Sequence, residues 1–139
     1  VPGASTYFKG GIISYTNEIK ERLLAVDHQL LEEKTAVCED VAKAMVSGAL
    51  DALDVDFAIA STGTAGPGGG TAEIPVGTIW LACGNRENIV TMKLTDDFGR
   101  DINLAIATTK ALQMFINFLK EHAPKAKKEG KAPIIPLNE

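Results

Sequence analysis

From Glu39 to about Leu53 the apolar positions are Val41, Ala42, Met45, Val46, Ala49, Leu50 and Leu53, with Lys43, Ser47 and Asp51 opposite. A period of 3.6 residues places the first set on one face and predicts an amphipathic helix. Upstream, Ile12-Ile13-Ser14-Tyr15 after Gly10-Gly11 reads as a short strand. Thr16 then reads as an N-cap with Glu18 in the first turn, followed by a helix whose face carries Ile19, Leu23 and Val26, with Leu24 beside them. That helix is expected to end by a break at Thr35–Val37. Asp56 to Thr62 is small and apolar without alternation, the pattern of a strand covered on both faces. A Gly/Pro-rich loop occupies 63–75. Thr78–Cys83 and Ile89–Thr95 read as strands joined through Gly84-Asn85-Arg86-Glu87-Asn88 as an antiparallel hairpin. Leu104, Ala107, Ala111, Leu112, Phe115, Ile116 and Leu119 mark a long helix over about 100–121. The order β-α-α-β-β-β-α predicts an α/β sandwich with a mixed sheet.

Composition narrows the function more than the fold. With 139 residues the chain is the size of one domain. A net charge of −4 argues against generic binding to nucleic acid or to an anionic membrane. Runs such as Ile79–Cys83 are far shorter than the roughly 18 residues of a membrane span. Cys38 and Cys83 have no partner at metal-ligand spacing and read as small buried side chains of a reducing, cytoplasmic compartment. His28 and His122 stand alone and read as surface residues, and Asp96-Asp97 reads as a polar turn rather than a cation site. The charge is uneven: residues 1–121 are net −6, while 122–139, with Pro124, Pro133, Pro136 and four lysines, are net +2. This divides the chain into a domain at 1–121 and a flexible basic tail at 122–139.

Six of the thirteen glycines lie between Gly63 and Gly77. Glycine buries no side chain; its use is to reach positive φ and to bring backbone close to a ligand. Successive amides in such a loop can form an anion nest. The loop leaves the end of a buried strand, where open α/β sheets bind ligands. No Lys-Ser/Thr follows the last glycine, so it is not a Walker loop, and it leads to Pro75 and a strand, so it is not a dinucleotide fingerprint. The reading is a site for a phosphorylated or sugar-bearing small molecule.

An ordered series of segments resembles the CinA C-terminal domain family. It comprises Gly3-Ala4-Ser5, Phe8-Lys9-Gly10-Gly11, Tyr15-Thr16-Asn17-Glu18-Ile19-Lys20, Leu23-Leu24-Ala25-Val26 and the acidic helix start near Glu39. It continues through Thr62-Gly63-Thr64-Ala65-Gly66-Pro67, Gly69-Gly70-Thr71, Pro75-Val76-Gly77-Thr78 and Phe98-Gly99-Arg100. The resemblance implies a three-layer α/β/α sandwich and a metal-independent, cofactor-free amidohydrolase that converts nicotinamide mononucleotide to nicotinate mononucleotide and ammonia. It also implies a Glu-Ser-Cys-Thr-Gly-Gly motif before the Val-Pro-Gly segment, with its serine as nucleophile. These 139 residues begin at Val1, and the expectation is that a longer protein supplies that motif. Without it, unpaired strand edges and apolar helix faces are expected to be exposed. Cys38, Thr64 and Ala25 stand where the family usually has Ser, Ile and Gly. Ser5, Ser14 and Ser61 offer no convincing substitute nucleophile.

The resemblance carries Tyr15 and Lys20 over as catalytic partners of that serine. At the fourth position of its helix, Lys20 sits near the positive helix end, which together with burial would lower its pKa toward base competence. Glu18 and Glu21 would oppose this if they face it. Thr62, Gly63, Ala65, Gly66 and Pro67 would line the substrate pocket. Arg100 would bind phosphate, unless it pairs with Asp96, Asp97 or Asp101. A homo-oligomer is expected. The competing reading is a non-catalytic nucleotide-binding module, or one associated with competence or DNA damage.

Overall fold

Among the described residues three strands form one sheet in the order β1-β2-β3: β1 Ala58–Gly63, β2 Ile79–Gly84 and β3 Ile89–Leu94. A computed structural model describes residues 1–122, so the tail expected over 122–139 lies, apart from His122, outside the described residues. Four α-helices complete these: α1 Asn17–Leu24, α2 His28–Lys34, α3 Glu39–Leu53 and α4 Arg100–His122. Both strand pairs are antiparallel. The α/β class holds, and the sheet is antiparallel rather than mixed. The reason is connectivity: no helical crossover separates the strands, and parallel pairing needs one. In the β2–β3 turn, Asn85 Oδ1 accepts from the amides of Glu87 and Asn88 at 3.0 and 2.7 Å.

Alternation along β2 builds the three layers. Ile79, Leu81 and Cys83 face α4, packing with Ala107, Ala111, Met114 and Phe118. Trp80 and Ala82 face α3, packing with Ala42, Val46 and Leu50. A further cluster of Leu24, Val26, Leu31, Val41 and Met45 joins α1 and α2 to α3. Burial pushes the Cys83 thiol up to about 11, so it stays protonated. Cys38 is only half-buried.

Several elements differ from expectation. Residues 8–15 form no strand; Ile12 packs into the cluster around Leu24 and Val41, while Ile13 and Tyr15 are exposed. The helix after Thr16 stops at Leu24, because Ala25 takes a left-handed φ of 53° and Asp27 caps a second helix by accepting from the Gln29 amide. In α4 the buried line is Asn103, Ala107, Ala111, Met114 and Phe118, whereas Leu104, Leu112 and Ile116 are exposed. Small Ala107 and Ala111 let the helix approach the sheet, so packing rather than side-chain hydropathy sets its phase. By length and composition α4 is apolar enough to cross a membrane; one of its faces packs against β2. Among the described residues β1 pairs only with β2, leaving its other edge without a strand partner.

One contact fixes α1 on α3. A Cβ added at Gly48 would lie 1.9 Å from the carbonyl oxygen of Leu24. Because backbone, not a pliable side chain, occupies the space, Gly48→Ala is expected to destabilise the fold by about 2–3 kcal/mol. Denaturant unfolding checks this; an unchanged midpoint would mean α1 does not rest there.

Candidate functional site

The start of α1 is set by Thr16, whose backbone is extended and whose Oγ1 accepts from the Ile19 amide at 3.3 Å. Lys20 follows one turn in, its amide donating to the Thr16 carbonyl at 3.0 Å. Helical side chains lean toward the N-terminus, and Lys20 reaches back across its own first turn. Its Nζ donates to the Ser14 carbonyl at 2.7 Å and, at 3.5 Å, to that of Tyr15. The residue is only 6% exposed. Burial holds its pKa below the ordinary 10.5. The two acids that could have opposed this are engaged elsewhere, Glu18 with Arg22 and Glu21 with His28. Among the described residues no carboxylate pairs with Lys20. Tyr15 shares this cluster through its carbonyl, and its side chain is 85% exposed.

The end of β1 leads to the glycine-rich loop. Thr62 is buried, and its Oγ1 donates to the Ala36 carbonyl at 2.8 Å, tying β1 to the segment that enters α3. At Gly63 a Cβ would come within 2.7 Å of Ile79 and 2.8 Å of the Thr78 carbonyl, so the strands meet closely there. The base of the loop is closed by Thr64 N donating to Thr78 O at 2.9 Å and Gly77 N donating to Thr64 O at 2.8 Å. The Gly66–Pro67 peptide is cis. Above this base the amides of Ala65, Gly66, Gly68, Gly69 and Gly70 donate no hydrogen bond to any described residue.

The start of α4 meets the loop from the other side. Asp97 Oδ1 accepts from the Gly99 amide at 3.0 Å and from Asn103 Nδ2 at 2.9 Å. These two bonds, Asn103's first, hold the Asp97 carboxyl below its ordinary value of 3.8. Asn103 also accepts from the Phe98 amide at 2.8 Å and donates to the Ala65 carbonyl at 3.1 Å. Arg100 Nη1 donates to the Gly66 carbonyl at 2.9 Å, so its partner is the loop and not Asp96, Asp97 or Asp101. Beside it an open cavity of about 440 Å³ is lined by Pro67, Phe98, Gly99, Arg100, Asp101 and Ile102.

Ala65, Gly66, Pro67 and Arg100 thus form one group, Tyr15 and Lys20 another. No hydrogen bond among the described residues joins the two. Thr62 contacts the segment entering α3 while Ala65 and Gly66 contact α4, so the end of β1 and the start of the loop bridge the two helical layers. Asn103 has no part in the sequence reading of the site, and Asp97 enters it only as a polar turn residue and a possible partner of Arg100. The available signal was a polar residue on the same helical line as Ala107 and Ala111. Asp97 serves as an acceptor in a turn, and no group of three or more potential metal ligands occurs among the described residues.

The family model for the CinA C-terminal domain matches residues 1–119. A CinA-like protein of Leptospira interrogans is 42% identical over 123 residues, covering 88% of this chain and 29% of that protein. One from Leptospira borgpetersenii is 51% identical over 86 residues, 62% of this chain and 21% of that protein. The chain therefore spans under a third of these relatives. Among solved structures, the competence/damage inducible protein CihA of Agrobacterium tumefaciens has a TM-score of 0.78 at 40% identity, covering 85% of this chain and 73% of that one. The competence damage-inducible protein A (ComA) of Klebsiella pneumoniae has a TM-score of 0.83 at 29% identity, covering 89% and 76%.

Proposed function

The chain belongs to the CinA C-terminal domain family, and from this membership and its site we propose that the full-length protein is a nicotinamide mononucleotide amidohydrolase. The observation that carries the reading is Lys20. A buried ammonium bonded only to carbonyls is costly to keep charged. A lysine whose neutral form is favoured is suited to general-base work.

In this reading the nucleophile is the serine of the family's Glu-Ser-Cys-Thr-Gly-Gly motif, supplied by the full-length protein. Its Oγ adds to the carboxamide carbon while its proton passes to Lys20 Nζ, directly or through the Tyr15 hydroxyl. The C–N bond then breaks, and that proton leaves with ammonia. Water hydrolyses the resulting ester to the carboxylate and returns the serine. The unpaired amides of the loop, with the guanidinium of Arg100 beside the cavity, supply donors for the ribotide phosphate and for the developing oxyanion. The same reading places the protein in the cytoplasm. The apolar Leu104, Leu112 and Ile116 that α4 leaves exposed support self-association.

Incubation of the full-length protein with nicotinamide mononucleotide is expected to release ammonia and nicotinate mononucleotide in equal amounts. Nicotinamide riboside, lacking the phosphate, is expected to react with a KM at least tenfold higher. Tight binding without ammonia would favour the nucleotide-sensing reading, and neither binding nor turnover would contradict both.

A further inference from the structure

We propose that Asn103 is a positioning residue that fixes the direction of the Gly66 amide, turning its N–H toward an anionic oxygen of the ligand. The inference rests on the amidohydrolase reading for the ligand's identity, but the geometry is independent of it. Asn103 is 3% exposed, and each end of its amide is used. Its oxygen accepts from Phe98 N, while its nitrogen donates to Asp97 Oδ1 and to Ala65 O. Its orientation is therefore specified: flipping it would set its oxygen against two acceptors.

The consequence follows from peptide geometry. In a planar trans peptide the C=O and the following N–H point in opposite directions. The Ala65 carbonyl points at Asn103, so the Gly66 N–H points away from α4's buried line. Arg100, one helical turn before Asn103, holds the next carbonyl, that of Gly66. The following residue is Pro67, which has no N–H to orient. Two neighbouring carbonyls are thus drawn to α4, leaving the Gly66 amide without an acceptor among the described residues. The residue sits at φ 91°, and a Cβ there would lie 2.5 Å from Val76 Cγ1, so glycine is required where this peptide turns. A donor held in advance toward an anion strengthens binding without a later cost of ordering.

The test compares full-length wild-type protein with Asn103→Ala. Three readouts are taken: hydrogen exchange across residues 64–77, calorimetric binding of nicotinamide mononucleotide, and kcat and KM for its hydrolysis. Asn103→Ala is expected to speed exchange of the loop at least tenfold with the β2–β3 hairpin unchanged. A tenfold rise in Kd and KM in Asn103→Ala identifies the anion as phosphate; a tenfold fall in kcat at constant KM identifies it as the oxyanion. A loosened loop with Kd, KM and kcat all within threefold of wild type would overturn the proposal, as would unchanged loop exchange. Wild-type protein that binds but releases no ammonia would refute the amidohydrolase reading, and the Kd comparison would still decide for or against Asn103.

Discussion

Replacing Lys20 with methionine is expected to lower turnover of nicotinamide mononucleotide by about 10²–10⁴-fold, the usual contribution of a general base, while leaving the fold at least as stable. The two halves of this expectation have one cause. Burial lowers the Lys20 pKa from 10.5, so between the folded and unfolded values the unfolded chain binds more protons. Stability then rises with pH across that window, and below it the folded state carries the full cost of a buried charge. Methionine fills similar space without the charge. The carbonyls that lose a donor belong to half-buried Ser14 and exposed Tyr15, where water can replace it. A lysine kept only for packing would give the opposite result, lost stability and retained activity. The wild-type kcat/KM should rise along a limb centred below 10.5, and Lys20→Arg, which cannot deprotonate, should be as inactive as the methionine variant.

Gly77→Ala is expected to cost roughly 2–5 kcal/mol, a large share of the 5–15 kcal/mol that holds a typical domain together. The φ of Gly77 is 95°, and a Cβ there would lie 2.6 Å from the Asp96 carbonyl oxygen and 3.1 Å from the Asp97 Cα. Backbone strain contributes about 1–3 kcal/mol and the overlap a similar amount. The position also matters for binding. Gly77 N closes the loop onto Thr64 O, and the backbone it would push carries the Asp97 carboxylate that accepts from Gly99 and Asn103. A KM at least tenfold higher is expected with the loss of stability. Gly68→Ala is the control. It has a similar place in the sequence motif but no atom within 4 Å and no positive φ, and should stay within about 0.5 kcal/mol of wild type. Denaturant unfolding of the two variants measures the difference, and equal effects would contradict this account of the loop.

The elements with a single strong period were legible in the residues. The apolar stripe of α3 and the turn chemistry between β2 and β3 each left one reading, and Thr16 caps α1 as its side chain suggests. Where hydropathy and packing diverge, the sequence pattern misleads. On α4 the large apolar residues Leu104, Leu112 and Ile116 are exposed, while two alanines and an asparagine are buried against the sheet or the loop. A run such as Ile12–Tyr15 favours a strand by composition, yet pairing requires a neighbouring edge, which local residues cannot specify. The same limit applies to the site. The glycines announce a loop that brings backbone near a ligand, and Lys20 is placed by its distance from the cap. Asn103 contacts Ala65 across 38 positions, and Arg100 contacts Gly66 across 34. Such long-range bonds leave no periodic trace.

In the proposed function the lysine at the start of α1 and the loop beside Arg100 are two ends of one substrate site. A crystal structure of the full-length protein with nicotinate mononucleotide tests this most directly. The pyridine carboxylate is predicted within hydrogen-bond reach of Lys20 Nζ, about 3 Å or one water away, with the phosphate on the loop amides and Arg100. A ligand that touches only one of these ends, with the other at a distance the molecule cannot span, would contradict it.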